Sequence, residues 1–320
     1  MRKRQKSSSL DLQQKKSPIR VADYGFMAAF FILLIIAATM TDVFFTQRNL
    51  SNLFRQIVTN GLLSFGMLIV ILSGGIDLSI GPIVALTGIM AAGLQTTMWF
   101  PFAIIIALLV GMTIGAANGF LVARFKLQAF IVTLATMGAI RGIVYVYSET
   151  PKVPTDPAFR SLLGGGFIGP VPIPALIMLG CLPLVWLFLN RTTMGRAIVA
   201  IGGNEEAVRL AGINVKGHLV LAYIISGFFA GMAGVLLASR LGIAQPSVGV
   251  GYELDAIAAV VIGGGILGGG GGGAIGTMGG VLALGVIDNL LNLFNVQSYY
   301  QQILKGLIIL FAVLARRKEV

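Results

Sequence analysis

The apolar region from residue 57 to residue 95 is broken by Ser73-Gly74-Gly75-Ile76-Asp77-Leu78-Ser79-Ile80-Gly81, a glycine pair followed by one carboxylate. A helix needs about 20 residues to cross ~30 Å of hydrocarbon, so this run is long enough for two segments with a break between them. Backbone that leaves a helix in hydrocarbon has no water to bond. It is tolerated only where protein surrounds it or where it lines an aqueous path. A chain built this way reads as a transporter rather than as a simple anchor.

Composition fixes the class. Hydrophobic residues make up 56% of the chain, charged residues 11%, and mean hydropathy is +0.91. A soluble domain carries roughly 25% charge, so the fold class is all-α, a polytopic transmembrane helix bundle. In a soluble chain the net charge of +11 would point to nucleic acid. Here the basic residues gather at the ends and in a few loops, where topology signals belong, and nucleic acid is excluded as a partner. Cys181 is the only cysteine and can form no intrachain disulfide. It reads as a small core hydrophobe.

Ten apolar segments are candidate spans: 22–41, 57–73, 78–95, 101–123, 128–147, 172–189, 219–239, 254–268, 274–294 and 300–315. The first is too long for a signal-peptide core and lacks an A-x-A cleavage site, so it is read as retained. Residues 1–20 form a basic cytoplasmic tail, and 21–320 a single transmembrane domain. The Gly-Gly-Ile-Asp break divides the second segment from the third, and the run Gly268 to Gly273 divides the eighth from the ninth. Both pairs are short, which leaves eight or nine spans open. Charge supplies a separate test. With both termini inside, sixteen Lys and Arg fall on the cytoplasmic side, five outside, and Arg141 and Lys305 within spans. The positive-inside rule then requires an even number of spans.

Two loops stand out. The outer loop 148–172 holds Pro151, Pro154, Pro157, Pro170 and Pro172. It is read either as a solvated connector or as a dock for a soluble partner. The inner loop 190–218 contains a short helix with punctuation at both ends. Asn204 suits its N-cap, Glu205 and Glu206 its first turn, and Gly212 its stop. Glu205 and Arg209 stand at i,i+4 and can pair. Such a helix either rests on the lipid surface or is a knob inserted into another protein.

The inner segment Gly195-Arg196-Ala197-Ile198-Val199-Ala200-Ile201-Gly202-Gly203-Asn204-Glu205-Glu206-Ala207-Val208-Arg209-Leu210-Ala211-Gly212-Ile213 fits the form G-R-x(3)-A-x-G-G-N-x-x-A-x-R-x-x-G-I. The nonapeptide at Asp77 precedes it. The blocks Ala244-Gln245-Pro246, Gly251 through Gly264, and Ser298-Tyr299-Tyr300-Gln301 follow in order. From about Phe44 to its end the chain resembles the carbohydrate-uptake ABC permeases of the ribose-transport type. The resemblance implies the membrane subunit of an importer in a bacterial plasma (inner) membrane, paired with a second copy. It implies a cytoplasmic ATPase gripped through Gly195, Arg196, Gly202, Gly203, Asn204, Glu205, Glu206, Ala207, Arg209 and Gly212. It also implies a secreted sugar-binding protein, with ATP and Mg in the ATPase and no cofactor in this chain. One departure is visible. The family commonly carries a small hydroxyl residue after Gly263-Gly264 and a basic residue among the later glycines, where this chain has Gly265 and an unbroken glycine run.

Other features are set aside. No Gly-Lys-Ser/Thr occurs, so the glycine run is no phosphate loop and this chain has no ATPase motif. His218 is the only histidine. The pairs Gly111/Gly115, Gly115/Gly119, Gly138/Gly142, Gly227/Gly231 and Gly276/Gly280 have the spacing of close helix packing. Ionisable groups within spans are stronger pointers: Arg141, Asp288 and Lys305, with Asp288 and Lys305 able to pair. Asp77 is read as the cap of a helix beginning at Leu78. The translocation path is assigned to Asn60, Ser64, Asp77, Thr133, Thr136, Asp288, Asn289 and Asn292. Arg48, Arg55, Lys152, Arg160 and Arg240 form the outer, binding-protein face, with 49–54 lying along the lipid interface. Other solutes stay open: a nucleoside, an autoinducer-like polyol or a branched-chain amino acid. So does a proton relay through Asp77, Asp288 and Arg141, which would leave the capped inner helix unexplained.

Overall fold

The computed structural model describes residues 21–316; the basic tail over 1–20 lies outside the described residues. The elements are α1 (Val21–Met40), α2 (Gln47–Leu72), α3 (Ile80–Gly93), α4 (Phe100–Phe125), α5 (Ala129–Tyr147), the two-residue strands β1 (Phe167–Ile168) and β2 (Val171–Pro172), α6 (Ile173–Arg191), α7 (Thr193–Gly203), α8 (Glu205–Leu210), α9 (Val215–Leu241), α10 (Tyr252–Ile262), α11 (Ala274–Leu293) and α12 (Ser298–Arg316). Each of the ten apolar segments contains one helix. Six of these, α2, α4, α5, α6, α9 and α11, are long and apolar enough to cross a membrane by length and composition. Helix α3 has 14 residues and α10 has 11, about 21 and 16 Å at 1.5 Å per residue. Neither reaches across ~30 Å of hydrocarbon.

Helix α2 is the axis of the core. From Ile57 to Leu72 nearly every residue is buried, flanked by α6, α9, α10 and α11. It begins ten residues before the expected span, where the Thr46 hydroxyl accepts the Asn49 N–H at 3.3 Å. The segment 49–54 therefore forms the first turns of α2 and is not a strap along the interface. The physical reason is Asn49, buried and paired side chain to side chain with Asn289 on α11, both N···O distances 2.9 Å. Helices α4 and α9 approach closely because glycine faces glycine: a Cβ on Gly227 would overlap the Gly111 carbonyl, and one on Gly115 the Tyr223 carbonyl. Gly276 and Gly280 play that part between α11 and α10. Gly138 and Gly142 do not, since both face open space on α5.

The loop 148–172 is largely exposed but pinned to the bundle at several points. Phe159 is fully buried in a helical turn, and Ser239 Oγ donates to its carbonyl at 2.6 Å. Lys152 and Ala244 exchange two main-chain bonds of 2.8 and 2.9 Å. Gln95 Oε1 accepts the Asp156 N–H at 3.1 Å.

Candidate functional site

Helices α7 and α8 form the capped inner segment. Asn204, at φ −162°, ends α7, and its Oδ1 accepts the Ala207 N–H at 2.9 Å to start α8. Gly212, at φ +79°, ends α8 in the left-handed region that favours glycine. There its N–H reaches Arg209 O at 3.0 Å and Ile213 N–H reaches Val208 O at 3.3 Å, the bonding of a Schellman stop. The ion pair differs from expectation. Arg209 pairs with Glu206, not Glu205, through two of its nitrogens. Residues three and four apart both share a helix face, and Glu206 presents both oxygens to the guanidinium fork. That hydrogen bond from Arg209 holds the Glu206 carboxyl below its ordinary range. Val208 anchors α8 against Ile201 and Val215. Glu205, Glu206, Ala207 and Arg209 are exposed, and Leu210 is 76% exposed. Arg196 turns the other way, its Nη1 3.4 Å from the carbonyls of Asn190 and Arg191 at the end of α6.

The root of this segment is a backbone junction. Gly202 lies against the last residue of α2, where a Cβ would overlap the Leu72 carbonyl and come within 2.7 Å of Gly270 N. Gly270 N–H also bonds Leu72 O at 3.1 Å. A Cβ on Gly74 would sit 3.9 Å from Gly202 Cα. Both helix breaks thus meet the end of α7. The glycine run is a defined turn: Gly264, Gly269, Gly270 and Gly272 all have positive φ, a conformation other residues rarely adopt.

Asp77 is fully buried within the first break. It accepts from Ser79 N at 3.0 Å, Ser79 Oγ at 2.6 Å and Ser226 Oγ at 2.8 Å. Asn118 donates to Ser79 Oγ at 2.9 Å, Thr136 to Asn118 Oδ1 at 2.6 Å, and Thr133 to the Ile76 carbonyl at 3.1 Å. Helix α3 starts at Ile80 rather than Leu78, because Asp77 satisfies Ser79 N–H in an Asx turn just outside it. These contacts join the break to α4, α5 and α9.

A second polar region is a cavity of about 370 Å³ between α2, α9, α10, α11 and α12. Asn60, Asp288 and Asn292 line it, as do Gln56, Asp255 and Lys305. Lys305 Nζ lies 3.0 Å from Asp288 Oδ2, the expected pair, and 3.0 Å from Asp255 Oδ2. Sequence reasoning missed Asp255; its place one turn into α10 was the available signal. The eight path residues divide accordingly. Three line the cavity, while Asp77, Thr133 and Thr136 belong to the buried joint. Ser64 donates back to the Asn60 carbonyl at 2.6 Å, and Asn289 is paired with Asn49. Arg141 donates to the carbonyls of Pro246 and Val248 at 2.7 and 2.8 Å. Among the described residues no hydrogen bond links Asp77, Asp288 and Arg141; each is held in a separate set of contacts.

Five cations lie toward the opposite end of the bundle from α8. Arg48 and Arg160 are exposed. Arg55 donates to Gly165 O at 3.2 Å and lies 4.4 Å from the Phe167 ring centre. Arg240 donates to the Arg55 carbonyl at 2.7 Å. Lys152 is half-buried.

Residues 49–313 match the family described as branched-chain amino acid transport system / permease component. The ribose import permease protein of Haemophilus influenzae is 44% identical over 292 residues, 90% of each chain. That of Bacillus subtilis is 42% identical over 320 residues, 98% of this chain and 99% of the relative. The L-arabinose transport system permease protein of Escherichia coli is 38% identical over 306 residues, 92% of this chain and 90% of the relative. No solved structure matches. With an exposed capped helix rooted on two broken membrane segments, and with likeness along nearly its whole length, the chain belongs to this family of transport-system permease components.

Proposed function

We propose that the chain is the membrane-spanning permease subunit of an ATP-driven importer for a small sugar. The observation that carries this reading is α8, an exposed, doubly capped knob whose root touches both helix breaks. Relatives named for ribose and arabinose support the sugar. Two copies form the pathway in a bacterial plasma membrane. A cytoplasmic ATPase holding ATP and Mg²⁺ grips each α7–α8 segment, and a secreted binding protein delivers solute at the opposite face. The charge asymmetry supports an even number of crossings with both termini inside, and on the ten-crossing reading α3 and α10 each complete a crossing with the turn segments at their ends. ATPase closure then biases the bundle between two access states through its contact with α8.

Charge reversal tests the contact. Glu205→Lys with Glu206→Lys should cut uptake in proteoliposomes containing the complete complex at least ~10-fold, a loss of about 1.4 kcal/mol in association. The ATPase should also no longer co-purify. Uptake at the wild-type rate would remove α8 as the grip.

The docking face rests on Arg48 and Arg160, the exposed cations of the outer set. Charged rims steer association and are screened by salt. Arg48→Glu with Arg160→Glu should weaken binding-protein affinity ~10-fold at low salt, and much less at high salt. An affinity unchanged at low salt would leave these arginines as lipid anchors and withdraw the charge-based orientation.

A further inference from the structure

Arg141 and Glu253 take no part in the pathway described above, and both act on one strap of chain. The strap 242–251 joins α9 to α10, and its flanks Arg240, Leu241, Tyr252 and Asp255 line the polar cavity. Gly249 and Gly251, at φ +84° and +83°, carry its last turns in a conformation that other residues rarely adopt. Two clamps hold the strap. Lys152 and Ala244 exchange main-chain bonds, and Arg141, from the middle of α5, donates to the carbonyls of Pro246 and Val248 at 2.7 and 2.8 Å. Both of the latter bonds leave from Nη1, and the rest of the guanidinium fork bonds nothing among the described residues.

Glu253 is likewise half used. Its Oε1 accepts the Gly251 N–H at 3.2 Å, while its Oε2 is buried and has no hydrogen-bond partner. Oε2 looks onto Gly81 at the start of α3, where a Cβ would come within 2.5 Å of it. A carboxylate oxygen shut away from water without a donor is costly. Arg141 is the cation whose charge acts on Glu253, yet the two form no ion pair in this arrangement.

Resting on the importer reading above, we propose that Arg141 and Glu253 are positioning residues that exchange partners between the two access states. In the arrangement described, Arg141 holds the strap by its carbonyls. In the other it releases them and closes a charge-assisted pair with Glu253, so the strap is gripped by its end instead of its middle. The exchange needs α10 to shift against α5. The far end of α10 opens into the glycine run that touches Gly202, so a displacement of α7 reaches Glu253 along a single helix.

Glu253→Gln separates this role from a structural one. The amide oxygen can still accept the Gly251 N–H, so no bond of the present arrangement is lost and the charge alone goes. Its unfolding midpoint in detergent should match wild type and the ATPase should still co-purify. ATP-driven uptake of D-ribose in proteoliposomes should nevertheless fall ~10-fold, within the range of coupling effects. Glu253→Asp, which keeps the charge, should restore part of the rate. Arg141→Gln should cost uptake at least as much, and the double variant no more than Arg141→Gln alone. Wild-type uptake by Glu253→Gln overturns the exchange. A lower unfolding midpoint for Glu253→Gln overturns it too, since the carboxylate would then be engaged already. Losses that add in the double variant overturn the pairing of these two residues. A wild-type complex that takes up neither D-ribose nor L-arabinose under ATP overturns the importer reading and this inference with it.

Discussion

Gly202→Ala stops ATP-driven uptake while the chain stays inserted and the ATPase stays bound. The added methyl would overlap the Leu72 carbonyl and lie 2.7 Å from Gly270 N. Both obstacles are main chain, so no change of rotamer relieves them. Overpacking of this kind costs about 1–3 kcal/mol. Relief comes only by moving the end of α7 away from α2 and the glycine run, which on the importer reading uncouples α8 from the broken helices. Uptake in proteoliposomes should fall ~10-fold or more, the rate effect of a barrier change of that size. Gly180→Ala, at an open position on α6, controls for the added methyl. If Gly202→Ala transports like wild type, the junction is not in the transmission path.

Asp77→Ala is expected to destabilise the whole bundle. Three donors converge on this carboxylate, Ser79 N–H, Ser79 O–H and Ser226 O–H, and each buried donor left alone costs about 1–3 kcal/mol. Ser79 also carries the link onward to Asn118 and Thr136, so the loss spreads into α4 and α5. A net loss of about 3 kcal/mol should appear as earlier unfolding in a detergent denaturation series. Asp77→Asn keeps the shape and one acceptor oxygen, and should fall between the two. An Asp77→Ala protein as stable as wild type would show that water replaces the carboxylate, and the buried joint would lose its structural role.

Local punctuation was legible in the sequence. Asn204 and Gly212 bound α8 because a cap and a left-handed stop depend on single residue types at fixed spacing. Apolar runs marked a helix in each of the ten segments, six of them long and apolar enough to cross a membrane, because an apolar environment leaves a strong compositional trace. Choices between near-equivalent local partners were not legible: Glu205 and Glu206 both lie within reach of Arg209, and only the direction of each side chain separates them. The start of α2 was hidden because Arg48, Asn49, Asn52 and Arg55 read as interface, while the bond that draws Asn49 into the core comes from Asn289, far along the chain. The site suffered most. Polar residues of one kind went to three different uses, and the meeting of Leu72, Gly202 and Gly270 depends wholly on tertiary contact. Asp255 joined the ion triad for the same reason.

That meeting point has a mechanical meaning. The hydrogen bond from Gly270 to Leu72 and the seat of Gly202 between them involve main chain alone. Main chain has no alternative rotamers, so this seat can yield to a displacement of α7 only by moving backbone. The two broken helix pairs also share this one fulcrum. Neither can swing without loading the other, and a lesion such as Gly202→Ala should silence both together rather than leave half of the gate working.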